Sequence, residues 1–274
     1  MTTIRLAHCG PQSALLTGLK PKEDDVTTVR LAYATTPTSP RGTLALGSQY
    51  ETRPALLVSY VYLKGFLSQR AKYGFRDWVL DSGAFSAHMS GTEIKLQDFI
   101  ACAKGLRAQD PTLTEVFALD VIGDWRASLK NCEQMWKQGV EAIPCYHRGE
   151  PEDVLRGMAR DYPKIALGGV ARLKLKQKNA WAQQCFARVW PKPIHGFGFG
   201  SEESVMAMPF HSVDATNWEM GPCAFGSWRT YGKMSVRGGK QDLRGEVEWH
   251  LKLEQRAKAK WGKALAELQT KESA

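Results

Sequence analysis

Residues 78–120 read WVLDSGAFSAHMSGTEIKLQDFIACAKGLRAQDPTLTEVFALD. Trp78 to Asp81 is a short apolar run that closes on an acid. Leu96, Phe99, Ile100, Ala103 and Leu106 then recur at the 3.6-residue helical period, and Val116 to Asp120 is a second apolar run that closes on an acid. The pattern continues in both directions. Runs of the same kind lie at Val29 to Tyr33, Leu56 to Tyr60, Ala142 to Tyr146, Ile165 to Gly168, Ile194 to Gly198 and His211 to Asp214. Helical patterns separate most of them; one is Leu129, Cys132 and Trp136, with Gly139 as its C-terminal stop. About eight repeats of strand and helix predict an α/β fold, a single (β/α)8 barrel of the TIM type. An open doubly wound sheet is the alternative, because periodicity does not reveal closure.

The rest of the chain is read around that core. Ile4 to His8 competes with Val29 to Tyr33 for the first strand, residues 35–48 are rich in Thr, Pro and Gly and are expected to form a loop, and residues 1–50 are expected to be largely irregular. Residues 246–268 predict a terminal helix, with Val247, Leu251, Trp261, Leu265 and Leu268 on one side and Lys and Arg on the other. No repeat or linker interrupts the chain, so one domain over 1–274 is the simpler organisation. A content of 43% hydrophobic residues, with nine Trp, ten Phe and eight Tyr, excludes disorder as the main state. No window approaches the roughly 18 uncharged apolar residues that span a bilayer, and the opening MTTIRLAHCG lacks the apolar run of a signal peptide. An intracellular, cytoplasmic protein is expected.

The net charge of +9 favours polyanionic partners. Arg172 to Lys192 carries six Lys and Arg and no acid, and Arg229 to Lys263 carries ten against four acids. Charge alone is equally consistent with an ordinary solvated surface. The six cysteines are scattered without the two-residue spacing of a zinc site. Cys145 and His147 lie two apart, but alternate strand positions supply only two ligands, so no metal is expected there.

Chemistry concentrates at the strand ends, which converge on one face of a barrel. In succession these are Asp81 and Ser82, Asp120, Tyr146 and His147, Gly168 and Gly169, Gly198 and Gly200, and Asp214. Each Asp alone reads equally well as a helix cap or turn former. Three together suit chemistry in which positive charge develops on the substrate, as in glycosidic bond exchange through an oxocarbenium-like transition state. One carboxylate attacks the anomeric carbon, another handles a proton, and a third accepts from a base with adjacent N–H donors, as guanine has at N1 and N2. The glycine pairs offer backbone N–H groups to a carbonyl such as guanine O6.

The segments Leu80-Asp81-Ser82-Gly83-Ala84-Phe85, the Asp120 strand, Leu167-Gly168-Gly169, His195-Gly196-Phe197-Gly198-Phe199-Gly200 and Ser212-Val213-Asp214-Ala215-Thr216 resemble, in order, the base-exchange motifs of the tRNA-guanine transglycosylases. The resemblance covers roughly residues 55–220. It implies Asp214 as nucleophile, Asp81 as general acid and base, and Asp120 as reader of the purine edge. Ser82 and the Gly168 and Gly169 backbone would complete the base pocket with Gly198. Phe85 and Phe197 fall where the family sandwiches the heterocycle, at about 1 to 3 kcal/mol per stacked base; core packing is their alternative role. His147 stands where the tRNA enzymes usually have Gln.

Departures narrow the resemblance. The cysteine-rich zinc motif after the family nucleophile is absent, since only Cys223 lies beyond Asp214, and Asp-Ala-Thr-Asn-Trp replaces the LPTR-like segment. A zinc-free chain of this kind is most similar to the DNA-acting branch, the 7-deazaguanine DNA transglycosylases of phages and bacterial DNA-modification clusters. That implies exchange of guanine in DNA, ahead of tRNA, for a free 7-deazaguanine such as 7-cyano-7-deazaguanine. No cofactor and no membrane is implied; a homodimer is the oligomer considered, and the compartment is the host cytoplasm where the gene is a phage's. Arg172, Lys174, Lys176 and Lys178, with Arg256, Lys258 and Lys260, are the candidate contacts to the nucleic-acid backbone. Alternatives are a tRNA-acting enzyme, a glycoside or nucleoside hydrolase using two of the three Asp, and an inactive nucleic-acid-binding partner subunit. Asn217, three residues past Asp214, is the alternative alignment to the nucleophile, but an amide there is inert.

Overall fold

The computed structural model describes residues 27–33, 40–225, 228–230, 233–235 and 243–272. Nine strands form one sheet: β1 (Thr28–Tyr33), β2 (Ala55–Ser59), β3 (Trp78–Asp81), β4 (Leu113–Phe117), β5 (Ala142–Ile143), β6 (Cys145–His147), β7 (Ile165–Gly168), β8 (Ile194–Gly196) and β9 (Ser212–Ala215). Every pairing is parallel, in the order β5-β4-β3-β2-β1-β9-β8-β7-β6. The two sheet ends, β5 and β6, are separated by Pro144 alone. The Ile143 carbonyl accepts from the Ala118 N–H (2.9 Å) and the Pro144 carbonyl from the Ala166 N–H (2.8 Å), so one stretch of chain bonds to both edges. Proline has no N–H to continue the ladder, which breaks there without opening the ring. The fold is therefore a nearly closed α/β barrel of the TIM type, not an open sheet.

Helices α1 (Pro40–Leu46), α2 (Leu63–Gln69), α3 (Ala84–Ser90), α4 (Leu96–Gln109), α5 (Trp125–Lys137), α6 (Glu152–Asp161), α7 (Leu175–Val189), α8 (Glu202–Ala207) and α9 (Asn217–Phe225) connect the strands, with α3 and α4 both between β3 and β4 and no helix between β5 and β6, and α10 (Arg244–Glu272) ends the described chain. Strands β10 (Trp228–Thr230) and β11 (Lys233–Ser235) form a separate antiparallel pair. Strand residues alternate as a barrel requires. Val29, Leu31, Leu56, Val58, Trp78, Leu80, Val116, Ile165, Leu167 and Val213 are buried in the shell under the helices.

The inward residues fall into layers. At the strand starts Arg30 pairs with Asp77, and Lys164 contacts Glu115 and His211. Burial opposes charge on Glu115, but His211, Lys164 and Arg30 hold its carboxyl well below the usual range. Arg76 pairs with Glu254 of α10 (2.8 Å), whose other oxygen accepts from the Val29 N–H (2.9 Å) and so ties that helix to the first strand. Above these charges Leu57, Val79, Phe117, Ile143, Cys145 and Ala166 make an apolar middle. It leaves the last inward layer, at the strand C-termini, as the open end.

Three expectations are corrected. The Val116 to Asp120 run is realised as Leu113–Phe117, so Asp120 stands three residues beyond its strand on a loop. Residues 40–46, expected as loop, form α1: Pro40 occupies the first helical position, where its missing N–H costs nothing, and Ala45 and Leu46 are buried. The 246–268 helix extends over Arg244–Glu272. Val29 to Tyr33 lies within β1, and Ile4 to His8 lies outside the described residues.

Candidate active site

Ser59, Asp81, His147, Gly168 and Asp214 are the inward residues at or next to the strand ends, and Asp120 and Phe197 join them from the loops after β4 and β8. Asp81 closes β3 and accepts from the Gly83 N–H (3.0 Å). That turn needs glycine twice over: Gly83 has φ +75°, and a Cβ would lie 2.7 Å from Ser59 Oγ and 2.8 Å from Val61 Cγ2. Burial lifts the Asp81 carboxyl; the Gly83 N–H opposes, the charges of Asp120 and Asp214 add, and it is pushed up to about 7.

Asp214, 8% exposed, points inward from β9. Its Oδ1 accepts from the Gly198 N–H at 2.6 Å, and the Gly198 carbonyl accepts from Lys178 Nζ at 2.6 Å. Gly198 (φ +74°) thus links nucleophile candidate and lysine. Burial raises the Asp214 carboxyl to about 6, against the Gly198 N–H and the Lys178 charge. Beneath it His195 Nε2 is 3.9 Å from Asp214 Oδ1, and His195 Nδ1 is 2.8 Å from Ser212 Oγ. Burial and the Arg30 charge keep that imidazole neutral.

Asp120 Oδ2 is 3.2 Å from His147 Nε2, and His147 Nδ1 is 3.1 Å from Glu150 Oε1. Glu150 Oε2 also accepts from the His147 N–H (3.0 Å), which fixes the ring from behind. Burial raises the Asp120 carboxyl against the His147 contact. Cys145, Asp120 and Glu150 raise His147 above the usual imidazole range against desolvation.

Other expected residues divide. Phe197 is half-buried, its ring 4.7 Å from Phe117 and 4.5 Å from His195. Phe85 is 59% exposed on the first turn of α3, so no closed aromatic sandwich is preformed. Ser82 is buried, and its Oγ accepts from the Ala84 N–H (3.4 Å), a turn contact. Gly168 is in register with His147, and Gly169 turns the chain away with φ +73°. Arg172, Lys174 and Lys176 are exposed on the stretch after β7, while Lys178 is half-buried beside Gly198. The second basic set is engaged on the outer wall: Arg256 with Glu202 (2.6 Å), Lys258 with Glu254 (2.9 Å) and Lys260 with the Met206 carbonyl. Cys223 has no described side chain. Sequence reasoning missed Glu150 and Phe117. Glu150 had one signal, its place three residues past His147 across a glycine turn.

The arrangement offers two inward carboxyls raised toward neutrality, Asp214 to about 6 and Asp81 to about 7, and a third held by histidine. One suits nucleophilic attack and one proton transfer. No protein-family model matches the chain, and no curated protein matches it. Among solved structures, a chain of the tryptophan synthase α2β2 complex of Pyrococcus furiosus is similar at 12% identity and TM-score 0.48, over 85% of this chain and 97% of that one. Two mutant α-subunits of the same enzyme and organism are similar at 13% identity, with TM-scores of 0.48 and 0.44, over 84% of this chain and 97% and 96% of theirs. Likeness at that level carries no argument about chemistry. Among the described residues no helix is long and apolar enough to cross a membrane.

Proposed function

We propose that the chain is a pentosyltransferase that replaces guanine in DNA with a 7-deazaguanine through a glycosyl-aspartate intermediate. The observation that carries this reading is the pairing of Asp81 and Asp214 in one barrel mouth, one pushed up to about 7 and the other to about 6. Near neutral pH Asp214 is mostly the carboxylate that attacks C1′, while Asp81 still carries a proton for the departing purine. The incoming base then surrenders a proton to Asp81 and displaces Asp214, and the two inversions restore the anomer. Bond energy is kept in the glycosyl ester, so no nucleotide or redox cofactor enters. Asp120 and the Gly168 and Gly169 backbone recognise the base, with Phe197 as a stacking face. A duplex would present its base by flipping, at a cost of a few kcal/mol.

The test is incorporation of labelled guanine into DNA and, in parallel, into tRNA. Incorporation into DNA alone supports the reading. Incorporation into tRNA alone moves the activity to the RNA substrate, and release of base without exchange makes the protein a hydrolase.

A further inference from the structure

The site holds a second grouping that base exchange does not require as a set. Ligand atoms of Asp120, Cys145 and His147 all lie within 4.8 Å of one another. Cys145 and His147 are alternate inward residues of β6; the loop after β4 adds the third ligand that adjacent sequence could not show.

Four features make this more than a hydrogen-bonded cluster. The 3.2 Å between His147 Nε2 and Asp120 Oδ2 is close to the edge, about 3.3 Å, of a tetrahedron with metal–nitrogen and metal–oxygen bonds of about 2.0–2.1 Å. Asp120 Oδ1 is buried without a hydrogen-bond partner, a costly arrangement that a cation would relieve. Glu150 holds His147 through Nδ1 and leaves Nε2 facing Asp120, the carboxylate–histidine support common behind metal ligands. A Cβ at Gly168 would lie 2.8 Å from Cys145 Sγ and 3.1 Å from the His147 ring, so bare backbone leaves both ligands unobstructed.

We propose that Asp120, Cys145 and His147 bind a zinc-like divalent transition ion, with a fourth position open to water. A thiolate, an imidazole and one carboxylate disfavour magnesium and calcium and suit zinc or cobalt. As the metal binds, the Cys145 thiol proton and the His147 Nε2 proton pass to solvent; nothing is oxidised or reduced. Binding does not depend on the base-exchange reading. One consequence does rest on it: Asp120 cannot hold an ion and read a purine edge together, so zinc competes with base and chelation restores exchange.

The experiment titrates metal-stripped full-length protein with Co(II) and reads absorption without nucleic acid. One equivalent should give tetrahedral d–d bands and a thiolate-to-cobalt band, displaced by zinc. Cys145→Ser should lose the thiolate band, His147→Ala should lose binding, and Glu150→Gln should weaken zinc about 10- to 100-fold. Circular dichroism confirms that each variant is folded, and Cys145→Ser, nearly isosteric, decides the matter where His147→Ala does not fold. No thiolate band in the wild-type protein, or a band that survives Cys145→Ser, overturns the site. Cobalt binding with no base exchange by the metal-stripped protein would sink the proposed function and leave this site standing; exchange by the metal-stripped protein without cobalt binding would do the reverse.

Discussion

Asp214 and Asp81 are the same side chain in two electrostatic settings, and the difference is their proposed division of labour. Asp214→Asn should abolish covalent trapping and exchange with the circular dichroism spectrum unchanged; full activity would remove Asp214 as nucleophile. Activity needs Asp214 ionised and Asp81 protonated, so kcat/KM should fall below about pH 6 and again above about pH 7, giving a narrow bell. A profile flat from 5 to 8 would contradict that pairing. Asp81 also carries a stability cost. Its folded pKa of about 7 stands above the ordinary value of 3.8, so the native state binds more protons between them and stability falls as pH rises through that window. Asp81→Asn should therefore be more stable at pH 8 by on the order of a few kcal/mol, and so melt at a higher temperature, while losing exchange. A lower melting temperature would mean that the carboxylate is structurally required. Asp120→Ala should weaken base recognition more than DNA binding, by about 1.5 to 3 kcal/mol, or one to two powers of ten in base affinity. All three acids were legible in the sequence because each follows an apolar run. Their partners were not: the Gly198 N–H on Asp214 and Glu150 behind His147 depend on loop paths that periodicity does not encode.

Among the elements, the glycine-rich loop after β8 does most to shape the site. Gly200 fits where a Cβ would lie 2.4 Å from the Asp214 carbonyl and 2.7 Å from Ala215 Cβ. Backbone of β9 cannot yield as a flexible side chain does. Gly200→Ala should cost about 1 to 3 kcal/mol and reduce exchange by moving Asp214. Gly105→Ala, on α4 with nothing within 4 Å, is the control and should be neutral or stabilise by about 0.5 to 1 kcal/mol. Urea melts of the two variants decide; equal stabilities would show that the loop is not held against β9. Most strands could be read directly because buried parallel strands are short apolar runs. Two elements could not. The Val116 to Asp120 run continues past its strand because Ala118 and Leu119 are buried in the following loop, and α1 forms among Thr, Pro and Gly because burial of Ala45 and Leu46 outweighs local composition.

Across the whole molecule, closure was the feature the sequence left open, and it rests on Pro144 bridging the sheet's two ends. Charge was legible only as an excess, since sequence does not say which cations already have partners. The structure separates the two basic segments on that ground. Charge reversal at Arg172, Lys174 and Lys176 should flatten the dependence of log K on log salt by about 0.7 to 0.9 per lost phosphate contact, equally for all DNA sequences. Reversal at Arg256, Lys258 and Lys260, engaged with Glu202, Glu254 and the Met206 carbonyl, should leave that slope nearly unchanged. Equal slopes for both sets would return the first segment to ordinary solvated surface. Nucleoside mass spectrometry of DNA incubated with the protein and candidate 7-deazaguanines tests the proposed chemistry at the barrel mouth. A 7-deazaguanine nucleoside should appear at the expense of deoxyguanosine, with free guanine released in equal amount and neither change with the Asp214→Asn variant. Unaltered nucleosides with every candidate base, in DNA that the protein demonstrably binds, would contradict it.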